Sequence, residues 1–573
     1  MFKNQPKGLY VLALANTGER FGYYTMLAVF LLFLQAKFGF DSAVSGQIYA
    51  GFLACVYFMP MIGGIIADKW SFSKCVVTGI VVMFVGYLVM AIPTSIRTDS
   101  SLWILLGALL LISIGTGLFK GNLQVMVGDL YNDPRYSSQR DNAFSLFYMA
   151  INIGSLFAPM MATVMTNVSL HGAGFEYNAE LPALCNQFLT SGGSDVAGKI
   201  AAVAAQSHMQ VGPDTALFCN NYLTALTTGY SYAFGIACFS LVISYLIYVC
   251  GRPTYRHIIK DKNKKDHKAA ADAAADGPQL TAAQTKSRVV ALLLVFAVVI
   301  FFWMVFHQNG ATLTEFAKSC TSPNATGATR IGFNVWALFV IIIGVYALFS
   351  IFQSKSKTGK IISAVILAGV AVGLYFFYAE TPDPVTGLQP QTYQQFNPFY
   401  VVALTPVSLA IFSWLANRKK EPSAPRKIGY GMVMAACAYG LLLIGSVSIV
   451  GTNAAVSPNW LISTYLLLTF AELLLSPMGI SFVSKVAPPK YKGIMMGCWF
   501  GATAVGNYLV SIPMLLWGHV SLVVLWGILI AICLLSALFI FSIMKKLEAA
   551  TSDNPSPMKE QADALDVAAE AEI

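Results

Sequence analysis

Long apolar runs, broken by short polar or basic stretches, recur along the whole chain. Fourteen of them approach the ~20 residues that a helix needs to cross a bilayer. In the first half they lie near residues 9–35, 44–66, 74–93, 102–124, 142–167 and 226–250. In the second half they lie near 289–312, 331–352, 360–378, 397–416, 428–450, 460–484, 494–516 and 521–544. The pattern predicts an all-α membrane protein of two six-helix bundles plus one extra helical hairpin. The bundles read as 1–250 and 287–545, the latter including the hairpin 331–378, with a cytoplasmic linker 251–286 between them. A long outer loop, 167–222, interrupts the first bundle, and an acidic, alanine-rich tail with Pro555 and Pro557 reads as a disordered cytoplasmic segment, 546–573.

Composition agrees with this reading. Of the 573 residues 56% are hydrophobic and 11% charged, against about 25% charged in ordinary soluble domains. The net charge of +9 is explained by orientation and implies no nucleic-acid partner. With the N-terminus in the cytoplasm, 29 of the 36 lysines and arginines fall inside, and the outer loops hold only Lys37, Arg97, Lys199, Lys318 and Arg330. That asymmetry is what the positive-inside rule demands. It predicts a multi-pass protein of the cell membrane (the inner membrane in a Gram-negative cell) with both termini cytoplasmic and no cleavable signal peptide.

Ten cysteines show neither CxxC nor His/Cys ligand spacing, which argues against a metal site, and no cofactor is implied. No nucleophile–base pair or nucleotide loop points to an enzyme, and no signalling domain flanks the spans. Cys185 and Cys219 share the long outer loop and are candidates for a disulfide, with Cys320 in the next outer loop as a competing partner. The linker's basic cluster, 260–268, reads as a flexible segment facing lipid headgroups.

Charged residues inside spans carry the chemistry. Asn16, Glu19, Arg20, Tyr23 and Tyr24 form one stripe of the first span. A charge near the bilayer centre costs about 3 kcal/mol or more, so such residues usually face a wet interior. Lys120 lies in the fourth span, well before the basic loop that follows Tyr131. Asn152 in the fifth span either bonds a solute or joins helices; spacing alone leaves both open. Two halves around a basic linker suggest a rocking-bundle transporter with a midplane site.

Glu19-Arg20-Phe21-x-Tyr23-Tyr24, Gly117-Leu118-Phe119-Lys120-x-Asn122 and Phe147-Tyr148-x-x-x-Asn152-x-Gly154 closely resemble the signatures of the proton-dependent oligopeptide transporter family, within the major facilitator superfamily. Further matches are Tyr57 with Pro60, Phe302-Trp303, Gln308, Asn397-Pro398, Ala471-Glu472-Leu473 and Trp499-Phe500, in family order through both halves. The resemblance implies a major facilitator fold and import of di- and tripeptides by proton symport with alternating access. By the same resemblance, Arg20 and Lys120 meet the peptide carboxylate and Glu472 receives its ammonium. Tyr23, Tyr24, Tyr57, Asn152 and Asn397 supply neutral hydrogen bonds, while Trp303 and Trp499 shape side-chain pockets. For these aromatics packing is the competing reading, since 13% of the chain is aromatic. A monomer is expected.

The chain departs from the family pattern at two positions. Asn16 stands where the family usually has a glutamate linked to proton coupling, and His307 where it commonly has a glutamate that pairs with the fourth-span lysine. Proton coupling is then expected through Glu19, Glu472 or His307, the imidazole titrating near neutrality. The extra hairpin also sits after the seventh span, whereas bacterial relatives often carry two extra helices in the linker. The rival reading is a same-fold carrier of an anion, nitrate, a sugar or a cell-wall peptide fragment, or a peptide carrier without the usual proton coupling. Glu472 discriminates against anion carriage, since an anion has no obvious need for it.

Overall fold

Apolar runs of membrane length become helices because a helix satisfies its own backbone where no water can. The computed structural model describes residues 5–133, 135–136, 139–260, 281–354, 356–449, 451–452, 454–488 and 491–552. Among the described residues, fourteen helices are long and apolar enough to cross a membrane. The first bundle is α1 (Lys7–Phe38), α2 (Ser42–Lys69), α3 (Phe72–Ala91), α4 (Asp99–Asp129), α5 (Arg140–Gly172) and α6 (Thr215–Cys250). The second begins with α7 (Ala282–Phe306), which continues through a 3-10 turn, His307–Gly310, into a short helix, Thr312–Ser319. The hairpin α8 (Val335–Gln353) and α9 (Lys357–Glu380) follows, then α10 (Phe396–Asn417), α11 (Ala424–Val447), α12 (Pro458–Val486), α13 (Lys492–Leu509) and α14 (Leu522–Ser542).

Each bundle has its own apolar core, and a few residues cross over. Ala311, Val510 and Met514 of the second bundle join the first core, and Leu156 of α5 joins the second. The halves are also tied at the face that the charge count reads as outer. There Gln35 of α1 donates to Glu315, Lys318 donates to Gln35 at 2.6 Å, and Gln389 donates to Asn167 at 2.5 Å.

Three expectations are corrected. The loop 167–222 is largely helical: α5 runs on to Gly172, helices Leu181–Ser191 and Ser194–Gln206 follow, and α6 starts at Thr215 behind an Asp214 cap. Within it Cys185 and Cys219 are buried free thiols that share a hydrogen bond, which pushes the Cys185 thiol up, with burial adding to the shift. Cys320 lies instead beside Glu315.

The linker, secondly, is ordered at both ends. Tyr255 is buried with its hydroxyl donating to the Tyr248 carbonyl at 2.5 Å, and a Thr281–Gln284 capping box starts α7 seven residues before the expected edge at 289. Most of its basic cluster lies in 261–280, outside the described residues. Thirdly, the tail begins as a helix, Met544–Ser552, rather than as disordered chain. Leu547 and Ala550 enter the second core, and Glu548 accepts from Arg426 at 2.7 Å and from Ser423 at 2.6 Å. The rest of the tail, 553–573, lies outside the described residues.

The hairpin touches both halves. Phe157 of α5 packs on Trp336 and Phe339 of α8, with ring centres 5.1 and 5.8 Å apart. On α9 the buried residue is Ser363, which donates to Ser350 at 2.9 Å, so in a bilayer this helix faces lipid. Its outer end is pinned by Arg330, which is buried, pairs with Asp383, donates to the Tyr378 carbonyl at 2.7 Å and lies 4.2 Å over the Tyr378 ring. Arg330→Ala is expected to cost about 2 kcal/mol of stability, seen as a lower Tm in detergent, with transport KM unchanged. A changed KM would tie the hairpin to the substrate path.

Candidate functional site

Helical spacing and close helix packing assemble one polar cavity between the bundles. On α1, Arg20, Tyr23 and Tyr24 face it one turn apart. On α2 and α4, Tyr57 and Lys120 face it together because those helices nearly touch. A Cβ on Gly63 would stand 2.1 Å from the Gly117 carbonyl oxygen, an approach only glycine permits. From the other helices come Tyr148 and Asn152 (α5), Trp303 and His307 (α7), Asn397 (α10), Glu472 (α12), and Trp499 with Thr503 (α13). The cavity holds about 250 Å³, at the small end of ligand sites. A larger space of about 490 Å³, lined by Gln35, Asp41, Asn186 and Lys318, lies on the outer side of this chamber, against the loop helices.

The charges are unequally satisfied. Arg20 donates to both Glu19 oxygens, at 2.5 and 2.6 Å, in a buried bidentate pair, and its guanidinium lies 4.8 Å over the Tyr23 ring. Lys120 has no ion pair among the described residues; its Nζ stands 4.3 Å over the Tyr57 ring. Glu472 faces it from the opposite bundle, and each of its oxygens accepts from a neutral donor: the Tyr148 hydroxyl at 2.9 Å and Asn397 Nδ2 at 3.0 Å. The cavity thus presents one amine with no ion pair among the described residues and one carboxyl group held by neutral donors.

Eleven of the twelve residues singled out from the sequence line this one chamber; Glu19 does not, standing behind Arg20 as its partner. Asn152 lines the cavity, and its Nδ2 gives one hydrogen to the Tyr148 carbonyl on its own helix at 2.9 Å, which leaves the second amide hydrogen and Oδ1 for other partners. His307 bonds through Nδ1 to Asn507 Oδ1 at 2.5 Å and stacks on Trp303, ring centres 4.9 Å apart. Asn16 is buried and its Nδ2 has no hydrogen-bond partner. Sequence reasoning did not single out Tyr148 as a site residue, although it lies one turn before Asn152 on the same stripe. Nor did it select Gln124, Asn309, Gln394, Ser476 or Thr503, which also line the chamber.

Two helical bundles closed over a polar chamber define a membrane transporter of the major facilitator type. The POT family model matches residues 73–276 and 366–524, and the chain belongs to that family. It is similar to "Dipeptide and tripeptide permease B" of Aliivibrio fischeri (strain MJ11), 25% identical over 529 residues that cover 89% of this chain and 86% of the relative. It is also similar to "Uncharacterized transporter YclF" of Bacillus subtilis (strain 168), 27% identical over 518 residues, covering 88% of this chain and 87% of that one. Among solved structures, a crystal structure of peptide transporter POT in complex with sulfate shares the fold with a TM-score of 0.65 at 20% identity, covering 96% of both chains. A POT family transporter in complex with 5-aminolevulinic acid gives 0.63 at 19% identity, covering 96% of this chain and 98% of that one. The relatives are transporters, and this chain is not an enzyme.

Proposed function

We propose that this protein imports di- and tripeptides across the cell membrane by proton symport with alternating access, as a monomer with both termini in the cytoplasm. The observation that carries the reading is the pairing of a lone ammonium, Lys120, with a carboxylate, Glu472, across one small chamber. A short peptide has one charge of each sign at its ends, common to every sequence, so reading the ends allows many side chains. Arg20 is neutralised by Glu19, so Lys120 takes the substrate carboxylate, and Arg20 adds donors at the same wall. Tyr23, Tyr24, Tyr57, Asn152 and Asn397 surround the peptide backbone, and Trp303 and Trp499 bound its side chains.

The proton travels beside the peptide, on a group that the peptide ammonium does not occupy. Two neutral donors hold the Glu472 carboxylate, and its cationic partner arrives with the substrate. A carboxylate that pairs with the ammonium cannot carry the symported proton in the same step, so a second acceptor is needed. Glu19 takes that part: when the peptide carboxylate draws Arg20 away, the two oxygens that Arg20 holds are left unpaired in a dry site and take up the proton, while His307 acts as a neutral partner on the opposite wall. The names of the peptide permeases among its relatives support the substrate class.

Labelled dialanine in proteoliposomes, with a pH dye inside, tests both parts. Uptake should acidify the lumen and should be competed by tripeptides but not by free amino acids or N-blocked peptides. Uptake indifferent to a proton gradient would leave facilitated peptide transport; no uptake of any small peptide would remove the substrate assignment.

A further inference from the structure

The seventh and thirteenth helices break at the same level, and two side-chain bonds tie the breaks together. α7 ends at Phe306 and passes into the turn His307–Gly310, while α13 ends at Leu509 before the short helix Ser511–Leu516. His307 Nδ1 meets Asn507 Oδ1 at 2.5 Å, and Gln308 Nε2 donates to the Val510 carbonyl at 3.3 Å. His307 lines the central cavity, whereas Asn507 is fully buried behind it and does not. The other half of the Asn507 amide, Nδ2, has no hydrogen-bond partner. Among the described residues its one side-chain polar contact is therefore the bond to the imidazole.

We infer that Asn507 is a positioning residue: it holds His307 by Nδ1 and leaves Nε2 as the ring nitrogen presented to the transported substrate. Two constraints fix the ring. Trp303 lies nearly parallel to it, 18° between planes, which sets the plane of the imidazole. An acceptor at Nδ1 requires the hydrogen there, so the neutral ring carries its lone pair on Nε2, and a ring flip would break the Asn507 bond. The Nε2 side faces the chamber that also receives Tyr57 from α2 (5.6 Å between ring centres), Lys120 from α4, Arg20 from α1 and Glu472 from α12. Tyr57 in turn carries the Lys120 ammonium over its ring. An acceptor on this wall complements a peptide N–H or the ammonium of Lys120. A flipped ring would present Nδ1–H to a cationic wall and lose that match. The proposal rests on the reading that Lys120 and its surroundings receive a peptide.

The test uses the full-length chain with 15N-labelled histidine, the His307 signal being assigned as the one lost in His307→Gln. The wild-type signal should be that of a single Nδ1–H tautomer. Asn507→Asp keeps the acceptor and should keep that tautomer, while moving the pH profile of dialanine uptake to higher pH, because a carboxylate retains the proton on the ring. Asn507→Leu should mix the tautomers and raise the dialanine KM about tenfold, the effect of one lost hydrogen-bond partner. In a His307→Gln background the same leucine should add nothing further. A wild-type signal of the other or of mixed tautomers, an unmoved pH profile in Asn507→Asp, or an equal leucine penalty in both backgrounds would overturn the inference. If the wild type takes up no dipeptide, the transport reading falls, and the imidazole signal of wild type and Asn507→Asp still decides the role of Asn507.

Discussion

Glu472→Gln is expected to raise the KM for dialanine by roughly a hundredfold or more while leaving the protein folded. The side chain keeps its length, so packing is conserved, but it loses the charge that the substrate ammonium needs. Truncating one partner of a buried charged pair costs about 2–5 kcal/mol, and 2.7 kcal/mol is already a hundredfold. The hydrogen bonds add to the loss. Tyr148 and Asn397 both donate to Glu472; a glutamine offers one acceptor oxygen and turns an NH2 toward the other donor. The discriminating measurement is a ratio. A dipeptide blocked at its N-terminus has no ammonium to lose, so its weak binding should change little, and the wild-type preference for free peptides should collapse. Substrate-driven acidification of the lumen should fall in proportion to uptake, since in a symporter the proton enters only with the peptide. Wild-type affinity in Glu472→Gln would leave the carboxylate without a role in recognition.

Why the charge is placed this way follows from what a membrane core tolerates. Of the ionisable groups at the seam, Glu19 and Arg20 satisfy one another and stabilise α1 where it would otherwise bury an isolated ion. Lys120 and Glu472 are not paired with each other, and each leans on neutral partners: an aromatic face in one case, a phenol and an amide in the other. That arrangement is costly when empty and is relieved by a ligand carrying both charges. Under the proposed function it is a source of selectivity for zwitterions and of bias toward whichever conformation admits them.

Much of this was legible in the chain. Fourteen spans follow from hydrophobic length, which the bilayer enforces more strictly than any soluble core does. Arg20, Lys120 and Glu472 stand out because charges inside spans need a reason. Less was legible where the partner is far along the sequence: Tyr148 and Glu472 are 324 positions apart, and His307 and Asn507 are 200 apart. No periodicity encodes such a pairing. The outer loop hid its helices because short alanine- and glycine-rich segments carry a weak signal. The helical start of the tail was hidden likewise, since Leu547 and Ala550 become core residues only through tertiary docking. The break at His307 had a local signal, a polar His-Gln-Asn-Gly run inside an apolar helix, whose partner at Asn507 only the fold supplies.

Gly46→Ala is expected to hold the outer face open and to cut net uptake by about 5- to 150-fold. Gly46 of α2 lies against Met514 of the opposite bundle, where a Cβ would stand 2.4 Å from Met514 Cβ and 2.7 Å from Cγ. Backbone-attached atoms cannot step aside as a flexible chain end can, so the bundles must separate there. Overpacking of this kind costs about 1–3 kcal/mol, and only the state with the outer face closed bears it. A difference of that size between two conformations is the stated range of fold-change. Nearby contacts share the closure: Tyr49 of α2 packs its hydroxyl against Gly310, and Gln35 reaches Glu315 and Lys318. Two measurements separate a gating effect from misfolding. A cysteine in place of Asn309, which lines the central chamber, should react with an impermeant thiol reagent from outside in the Gly46→Ala protein and far less in its parent. Adding Met514→Gly removes the opposing side chain and should restore both protection and uptake. If the double variant stays inactive, or if the outside cysteine remains shielded in Gly46→Ala, closure does not depend on this contact and the halves must seal elsewhere.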